Sequence, residues 1–372
     1  MARVVIWQRA GGGAFHRGSP FFLDVVVRTL EAGFGAAANL NVSRGLGFSN
    51  DFREVIAALV QGDAFVFVGM WNEQVPWKAL GKRGVRRVLY QTEPLHGHNC
   101  SGVPMSRWSR IDEYWDFSEH NLEDCRARKF GVGAQAAARM LQMPTWRLVP
   151  PGAVGPPPAE ADILRNHNLS TTLLFFGNAK EPRRWPCYHE LRSQLPLGSL
   201  HWRFDVFDQT TFQTGVLDRC ACVHRDRGVC VSTHPRSRYA SLAAPPDFRV
   251  LGHPHQTLCC MLPCRYGIFL NLHKVCGDAH NPVTFRAAAL MSAGKLLLSE
   301  HAHPADEAAY RNMIIFASDL KVAYTRLLAD GDWRMRAAAA SRFFRRRFDP
   351  RVLFERAGVY RDWQLQLKPY SV

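Results

Sequence analysis

The chain has 372 residues, 47% hydrophobic and 21% charged, which excludes a disordered or fibrous protein and suits two α/β domains better than one. Its formal net charge of +15, from 47 Lys and Arg against 32 Asp and Glu, favours anionic partners such as phosphates. No stretch approaches the roughly 18 uninterrupted apolar residues of a membrane-spanning helix.

The N-terminus opens on a short strand and runs into glycines. It shows no basic region before an apolar core, which predicts a soluble, cytoplasmic protein without a secretory leader. Ten cysteines follow no disulfide-framework spacing and are expected as reduced thiols.

Over the first 145 residues short apolar runs alternate with amphipathic stretches, the βαβ signature of a parallel sheet. The predicted strands are Val4 to Gln8, Ala38 to Val42, Ala64 to Val68, Arg87 to Gln91 and Glu113 to Phe117, with helices over Phe21 to Glu31 and Asp51 to Leu59. After the first strand come Gly11, Gly12 and Gly13. Glycines between a strand and a helix let backbone N–H groups approach an anion, although the spacing is not the dinucleotide fingerprint and a plain flexible turn reads as well. The nearby His16 is a further candidate for that site, although a lone histidine is more often structural.

Six prolines between Pro144 and Pro158 exclude a regular helix and predict a stiff interdomain crossing. A second α/β pattern begins with the strand Thr172 to Phe176. Its further strands are predicted at Trp202 to Phe207, Ile268 to Leu272 and Lys295 to Ser299, with another near Phe316. Helices are predicted over Tyr188 to Gln194, Val283 to Ser292, Leu320 to Leu328 and Asp332 to Arg347. The run Arg345, Arg346 and Arg347 reads as a solvated helix face. Two consecutive Rossmann-like domains follow.

Residues 221–264 do not fit this pattern. They are rich in Cys, His and Pro with little periodicity, and joining their flanks leaves a smooth helix, turn and strand, so they read as an insertion. Cysteine and histidine suit zinc, but Cys220-Ala-Cys222 and Cys259-Cys260 lack the usual ligand spacing. No metal site is predicted.

Two stretches in the second half carry chemistry. Gly177 and Asn178 end a strand and lead into Lys180, Arg183 and Arg184, whose charges suit a diphosphate at the carboxyl end of a sheet; a solvated basic loop is the plainer alternative. His273, Asn281 and Glu300 lie at exits of neighbouring strands and are expected to converge on one sheet edge, while Gly294 suits the C-cap of the helix between them.

The chain resembles GT-B glycosyltransferases, especially proteins with a C-terminal "glycosyl transferases group 1"-like domain. The likeness runs through most of the chain. It rests on Leu89-Tyr-Gln-Thr-Glu93, Tyr114-Trp-Asp-Phe-Ser-Glu-His-Asn121, Val149-Pro-Pro-Gly152, Phe176-Gly-Asn178, Asn271-Leu-His273, Arg286 with Ser292-Ala-Gly294, Ser299-Glu300, Met313-Ile-Ile-Phe316 and Phe348-Asp-Pro350.

The resemblance implies two Rossmann-like domains facing each other across a cleft. Residues 1–145 form the acceptor side, 146–160 the crossing, 161–350 the nucleotide-sugar domain and 351–372 a tail. It also implies transfer of a sugar from a nucleoside-diphosphate sugar to a hydroxyl acceptor, with retention and without a bound metal or other cofactor. His273 and Arg286 are the catalytic candidates. Gly11, Gly12, Gly13, Gly177, Asn178, Lys180, Arg183, Arg184, Asn281 and Glu300 are the binding candidates.

The sequence departs from the family at one point. Where many retaining members carry a donor-binding glutamate in the helix before the glycine turn, this chain has Ala289. An inactive GT-B scaffold is therefore one alternative, and a basic nucleic-acid-binding or metal-binding protein is another. Trp202-Arg203-Phe204 is the main interleaving of aromatic and basic residues, so no nucleic-acid partner is expected.

Overall fold

A computed structural model describes residues 2–8, 20–46, 50–92, 105–130, 144–165, 170–177, 185–196, 199–204, 266–273, 276–277 and 285–369. Gly11, Gly12, Gly13, His16, Asn178, Lys180, Arg183, Arg184, Asn281 and all of 221–264 lie outside the described residues, as does the side chain of Arg286.

Six parallel strands form the first sheet: β1 (Ala2–Gln8), β2 (Leu40–Leu46), β3 (Ala64–Val68), β4 (Arg86–Tyr90), β5 (Glu113–Asp116) and β6 (Thr145–Leu148), in the order β2-β1-β3-β4-β5-β6. The near-continuous apolar runs follow from burial on both faces. Along β3, Ala64, Val66 and Val68 pack with α1 (Pro20–Gly35). The alternate residues Phe65 and Phe67 pack with α2 (Asn50–Ala57) and α3 (Trp77–Lys82) through Phe52, Ile56 and Trp77. Helix α4 (Glu119–Phe130) follows β5.

The second sheet is also parallel: β7 (Ser170–Gly177), β8 (Leu200–Phe204), β9 (Tyr266–Asn271), β10 (Leu296–Ser299) and β11 (Ile314–Phe316), in the order β11-β10-β9-β7-β8. Its strands alternate in the same way. Ile268 and Leu270 pack on one face, against Leu173, Phe175 and Tyr188, and Phe269 on the other with Leu174 and Met291. Among the described residues of this half the helices are α5 (Glu160–Arg165), α6 (Trp185–Gln194), α7 (Phe285–Ser292), α8 (Pro304–Tyr310), α9 (Leu320–Asp330) and α10 (Trp333–Arg347). Gly294 closes α7 at φ 72°, in the left-handed region expected of its C-cap. A Cβ there would also come within 2.7 Å of Ile163.

Two connections tie the halves together. The first is the proline segment, which begins later than the sequence suggests. Thr145–Leu148, expected within the crossing, pairs in register with β5 as an edge strand. Pro144 and Pro150 flank this strand without interrupting it, and an edge position needs hydrogen bonds on one side only. Beyond it, the Gly152 N–H donates to Thr29 Oγ1 (2.8 Å), the Ala153 N–H to the Phe348 carbonyl (2.8 Å) and the Val154 N–H to Ser292 Oγ (3.2 Å). Gly152 has no room for a side chain, because a Cβ would meet the Phe348 carbonyl oxygen at 2.6 Å.

The second connection is the C-terminal segment, expected as a tail from 351. It forms α11 (Pro350–Arg356) and α12 (Val359–Asp362) and returns to the first domain. Phe354 and Trp363 pack on Phe34 and Trp115, Tyr360 Oη donates to the Gly33 carbonyl (2.7 Å), and Leu367 bridges Ala37. Three aromatics within ten residues give the segment an apolar face that packs on the first domain's core. Arg345, expected in a solvated run, is half-buried. It donates to the carbonyls of Gly155, Pro156 and Ser292, while Arg346 and Arg347 face solvent.

Candidate functional site

In open parallel sheets a ligand crevice forms where the strand order reverses, at the carboxyl ends of the strands. The first sheet reverses between β1 and β3, and the second between β9 and β7. The second reversal therefore lies between the exit of β7 at Gly177 and the exit of β9 at Asn271, Leu272 and His273. These are two of the three exits chosen from sequence. The third, β10, leads to Glu300.

The β9 and β10 exits are bonded to each other. Asn271 Nδ2 donates to Ser299 Oγ (2.9 Å), and the Glu300 N–H to the Asn271 carbonyl (3.3 Å). Glu300 is buried. Its Oε2 accepts the His273 N–H (2.7 Å) and its Oε1 the Gly277 N–H (3.3 Å), so the carboxylate shapes the loop after β9. His273 is buried too. Its Nε2 lies 2.7 Å from the His301 carbonyl, which can only accept, so Nε2 carries the proton and Nδ1 is the acceptor atom of the neutral ring. The structure thus brings His273 and Glu300 together. Gly177 ends the neighbouring strand, and Arg286 is the second residue of α7, in its first turn.

Two cysteines that carried no signal in the sequence belong to the same place. Cys187, in the first turn of α6, is joined to Cys276 on the loop after β9, with Cα atoms 5.6 Å apart. Their sulfurs and a Glu300 oxygen lie within 4.8 Å of one another. Cys125 is disulfide-bonded as well. The expectation of reduced thiols is corrected here. The pair is 89 residues apart in sequence, so no spacing rule connects it, and only the adjacency of β7 and β9 does.

The second sheet's exits face those of the first. Phe117, just after β5, packs edge-on against Phe285 at the start of α7, with ring centroids 4.6 Å apart. His120 in α4 stacks on His303 at 3.9 Å, and His303 in turn caps α8 by accepting the Ala305 N–H. Asp116 ends β5 fully buried. Its Oδ1 accepts from the Ser118 N–H (3.0 Å) and Asn121 Nδ2 (3.1 Å), and its Oδ2 from Tyr114 Oη (3.3 Å). Burial outweighs these bonds and pushes its pKa up to about 8.

Solved structures share this arrangement. Sucrose-phosphate synthase from Thermosynechococcus elongatus matches 97% of this chain and 99% of its own at 12% identity, with a TM-score of 0.55. Trehalose-6-phosphate synthase OtsA matches all of both chains at 12% identity and 0.55. Anabaena HepE, solved with UDP, matches 97% of this chain and all of its own at 11% and 0.50.

The chain has the GT-B fold. No protein-family model matches the sequence, and no curated protein matches it. Among the described residues no helix is long and apolar enough to cross a membrane.

Within the GT-B frame, sequence reasoning missed Asp116, His120, His303 and the cysteine pair. Asp116 and His120 lay inside the quoted Tyr114 to Asn121 stretch. A signal was present there: an Asp two residues before Ser118 and five before Asn121 suits a turn that caps α4, and the Asn121 N–H does point to Ser118 Oγ (3.4 Å). A hollow of about 660 Å³ is lined by Arg28, Glu31, Arg44 and Arg345 together with Ala153 and Val154 of the crossing. It lies at the crossing and not at strand exits, so the geometry favours the cleft.

Proposed function

We propose that this protein transfers a glycosyl group from a nucleoside-diphosphate sugar to a hydroxyl acceptor, with the donor held by the second domain and the acceptor by the first. The observation that carries the reading is the strand reversal between Gly177 and His273, opened toward the first domain's own strand exits. HepE, of the same fold, binds UDP.

In this reading Gly177 and Asn178 let the donor approach the end of β7. Lys180, Arg183 and Arg184, which follow directly in sequence, and Arg286 stabilise the departing diphosphate, so that neither a metal nor another cofactor is required. Asn281 and His273 would contact the sugar or base, and Gly11, Gly12 and Gly13, which follow β1 in sequence, would serve as further binding residues. Glu300 acts by fixing the loop that carries His273. Transfer with retention, in the cytoplasm, completes the proposal. Closure of the two domains would exclude the water that hydrolyses the donor.

The test is a thermal-shift and turnover screen of the full chain against nucleoside diphosphates and nucleotide-sugars. A ligand bound only by the folded state raises the melting temperature. Arg183→Ala and Arg286→Ala are each expected to weaken donor binding and turnover at least about tenfold, and chelator is expected to change neither. Unchanged donor affinity and turnover in both variants would rule the assignment out.

One observation favours a second reading, a donor-binding scaffold without turnover. Helix α7 carries no carboxylate, and Ala289 packs against the core where many retaining members have glutamate. Donor binding with neither transfer nor hydrolysis would select it.

A further inference from the structure

Cys187 and Cys276 sit on the two exits that flank the reversal of the second sheet. Cys187 is the third residue of α6, the helix that follows β7, and Cys276 lies just beyond β9. Gly277, the next residue, gives its N–H to Glu300, whose other oxygen holds the His273 N–H. A single cross-link therefore ties α6 to the loop that Glu300 and His273 shape. Both cysteines are only partly buried, so the proposal requires that a small thiol or disulfide reach them. Nothing in the proposed transfer reaction uses them.

We propose that Cys187 and Cys276 form a reversible redox site whose disulfide holds the two arms of the donor cradle together and thereby raises affinity for a nucleoside diphosphate. The effect on affinity rests on the donor-site reading above. The chemistry is thiol–disulfide exchange with a low-molecular-weight disulfide. One cysteine thiolate attacks the reagent, forming a mixed disulfide and releasing one thiol. The second cysteine then displaces the other half as a second thiol. Two electrons and two protons pass to the reagent, and one S–S bond replaces another. Cross-linking the arms removes freedom that ligand binding would otherwise have to remove, so the oxidised form binds more tightly. In a reducing compartment disulfides of this kind are transient and serve sensing, which fits a pair placed at a ligand site better than one placed in a core.

The experiment uses the full chain, treated with either dithiothreitol or oxidised glutathione, with the Cys187–Cys276 linkage followed by peptide mapping and UDP affinity by calorimetry. The linkage is expected to form and to be reduced without unfolding, and reduction is expected to weaken UDP binding by about three- to tenfold. Cys187→Ser should bind UDP like the reduced wild type under both conditions. A redox response that persists in Cys187→Ser belongs to other cysteines of the chain and overturns the proposal. If this variant does not fold, Cys276→Ser, which removes the other half of the same linkage, serves as the control.

Equal UDP affinity in both states overturns the inference and leaves the donor reading standing. Absence of UDP binding in either state removes the donor reading and the inference with it. Stoichiometric zinc held by the reduced protein and lost in Cys276→Ser also overturns it, since the two thiols and Glu300 would then be metal ligands.

Discussion

The two seams between the domains are built differently. At the hinge, backbone and buried charge are bonded across the junction. Thr29 accepts from Gly152, Ser292 from Val154, and Arg147 lies between Glu113 (2.5 Å) and the returning C-terminal segment, where it reaches the Ala357 carbonyl and Asp362. Trp363 Nε1 completes the group by donating to Glu113 at 2.6 Å. Across the cleft, ring contacts stand out: Phe117 on Phe285 and His120 on His303. A junction fixed by directional bonds keeps its geometry, whereas one closed by ring faces can part without stranding a buried polar group. The contrast assigns motion to the cleft and rigidity to the hinge, which is the arrangement the proposed transfer requires to admit a donor and then exclude water.

The sharpest way to break this contrast is at Arg147. Its side chain and that of Glu113 are 5% and 6% exposed. Arg147→Met leaves the Glu113 carboxylate buried with two indole N–H donors and no close buried cation; Arg86 is 3.8 Å away and more exposed. Loss of one partner of a buried pair costs about 3–5 kcal/mol. Urea unfolding at neutral pH should register that loss, and adding Glu113→Gln should restore a large part of it. A loss below about 1 kcal/mol would mean that the hinge is not held by this group.

The floor of the cleft is tested at Asp116. Its pKa is raised to about 8 by burial, so the folded state retains a proton that the unfolded chain releases near 3.8. The sign follows directly. Between those two values the folded form binds more protons, so wild-type stability falls as pH rises, by up to about 1.4 kcal/mol per unit, and levels off above the folded value. Asparagine keeps Oδ1 for Ser118 and Asn121 and can donate to Tyr114 Oη from Nδ2. Asp116→Asn is therefore expected to match wild type near pH 4 and to exceed it by about 4 kcal/mol near pH 7. Parallel pH profiles for the two proteins would mean that Asp116 ionises normally in the fold.

Legibility followed periodicity. Strands such as Ala64–Val68 were readable because both faces are buried and the apolar run is unbroken. Strand β6 was not, because its four residues sit among prolines and its signal is the pairing partner, which sequence does not display. The exits of β7, β9 and β10 were readable as polar residues after apolar runs. That Glu300 braces a loop, and that Cys187 meets Cys276, depends on which strands become neighbours. That adjacency is set by the sheet order, with β9 beside β7. Arg345 looked like its solvated neighbours and differs because its guanidinium finds three carbonyls of the crossing and of α7's end.

The smallest expected effect separates the two seams most directly. His120 and His303 are each half-buried, and their stack joins α4 to the start of α8 across the cleft. An aromatic pair contributes about 0.5–1.5 kcal/mol beyond the area it covers, and less where water reaches the rings. His120→Ala should therefore cost under about 1 kcal/mol in urea unfolding, a fraction of the Arg147→Met loss. Small-angle scattering of the same variant should show a more open molecule, because the cleft loses a closing contact while the hinge keeps all of its bonds. If His120→Ala instead destabilises the protein as strongly as Arg147→Met, the cleft is a structural interface like the hinge. The domains then form one rigid body, and the proposed donor must enter without closure.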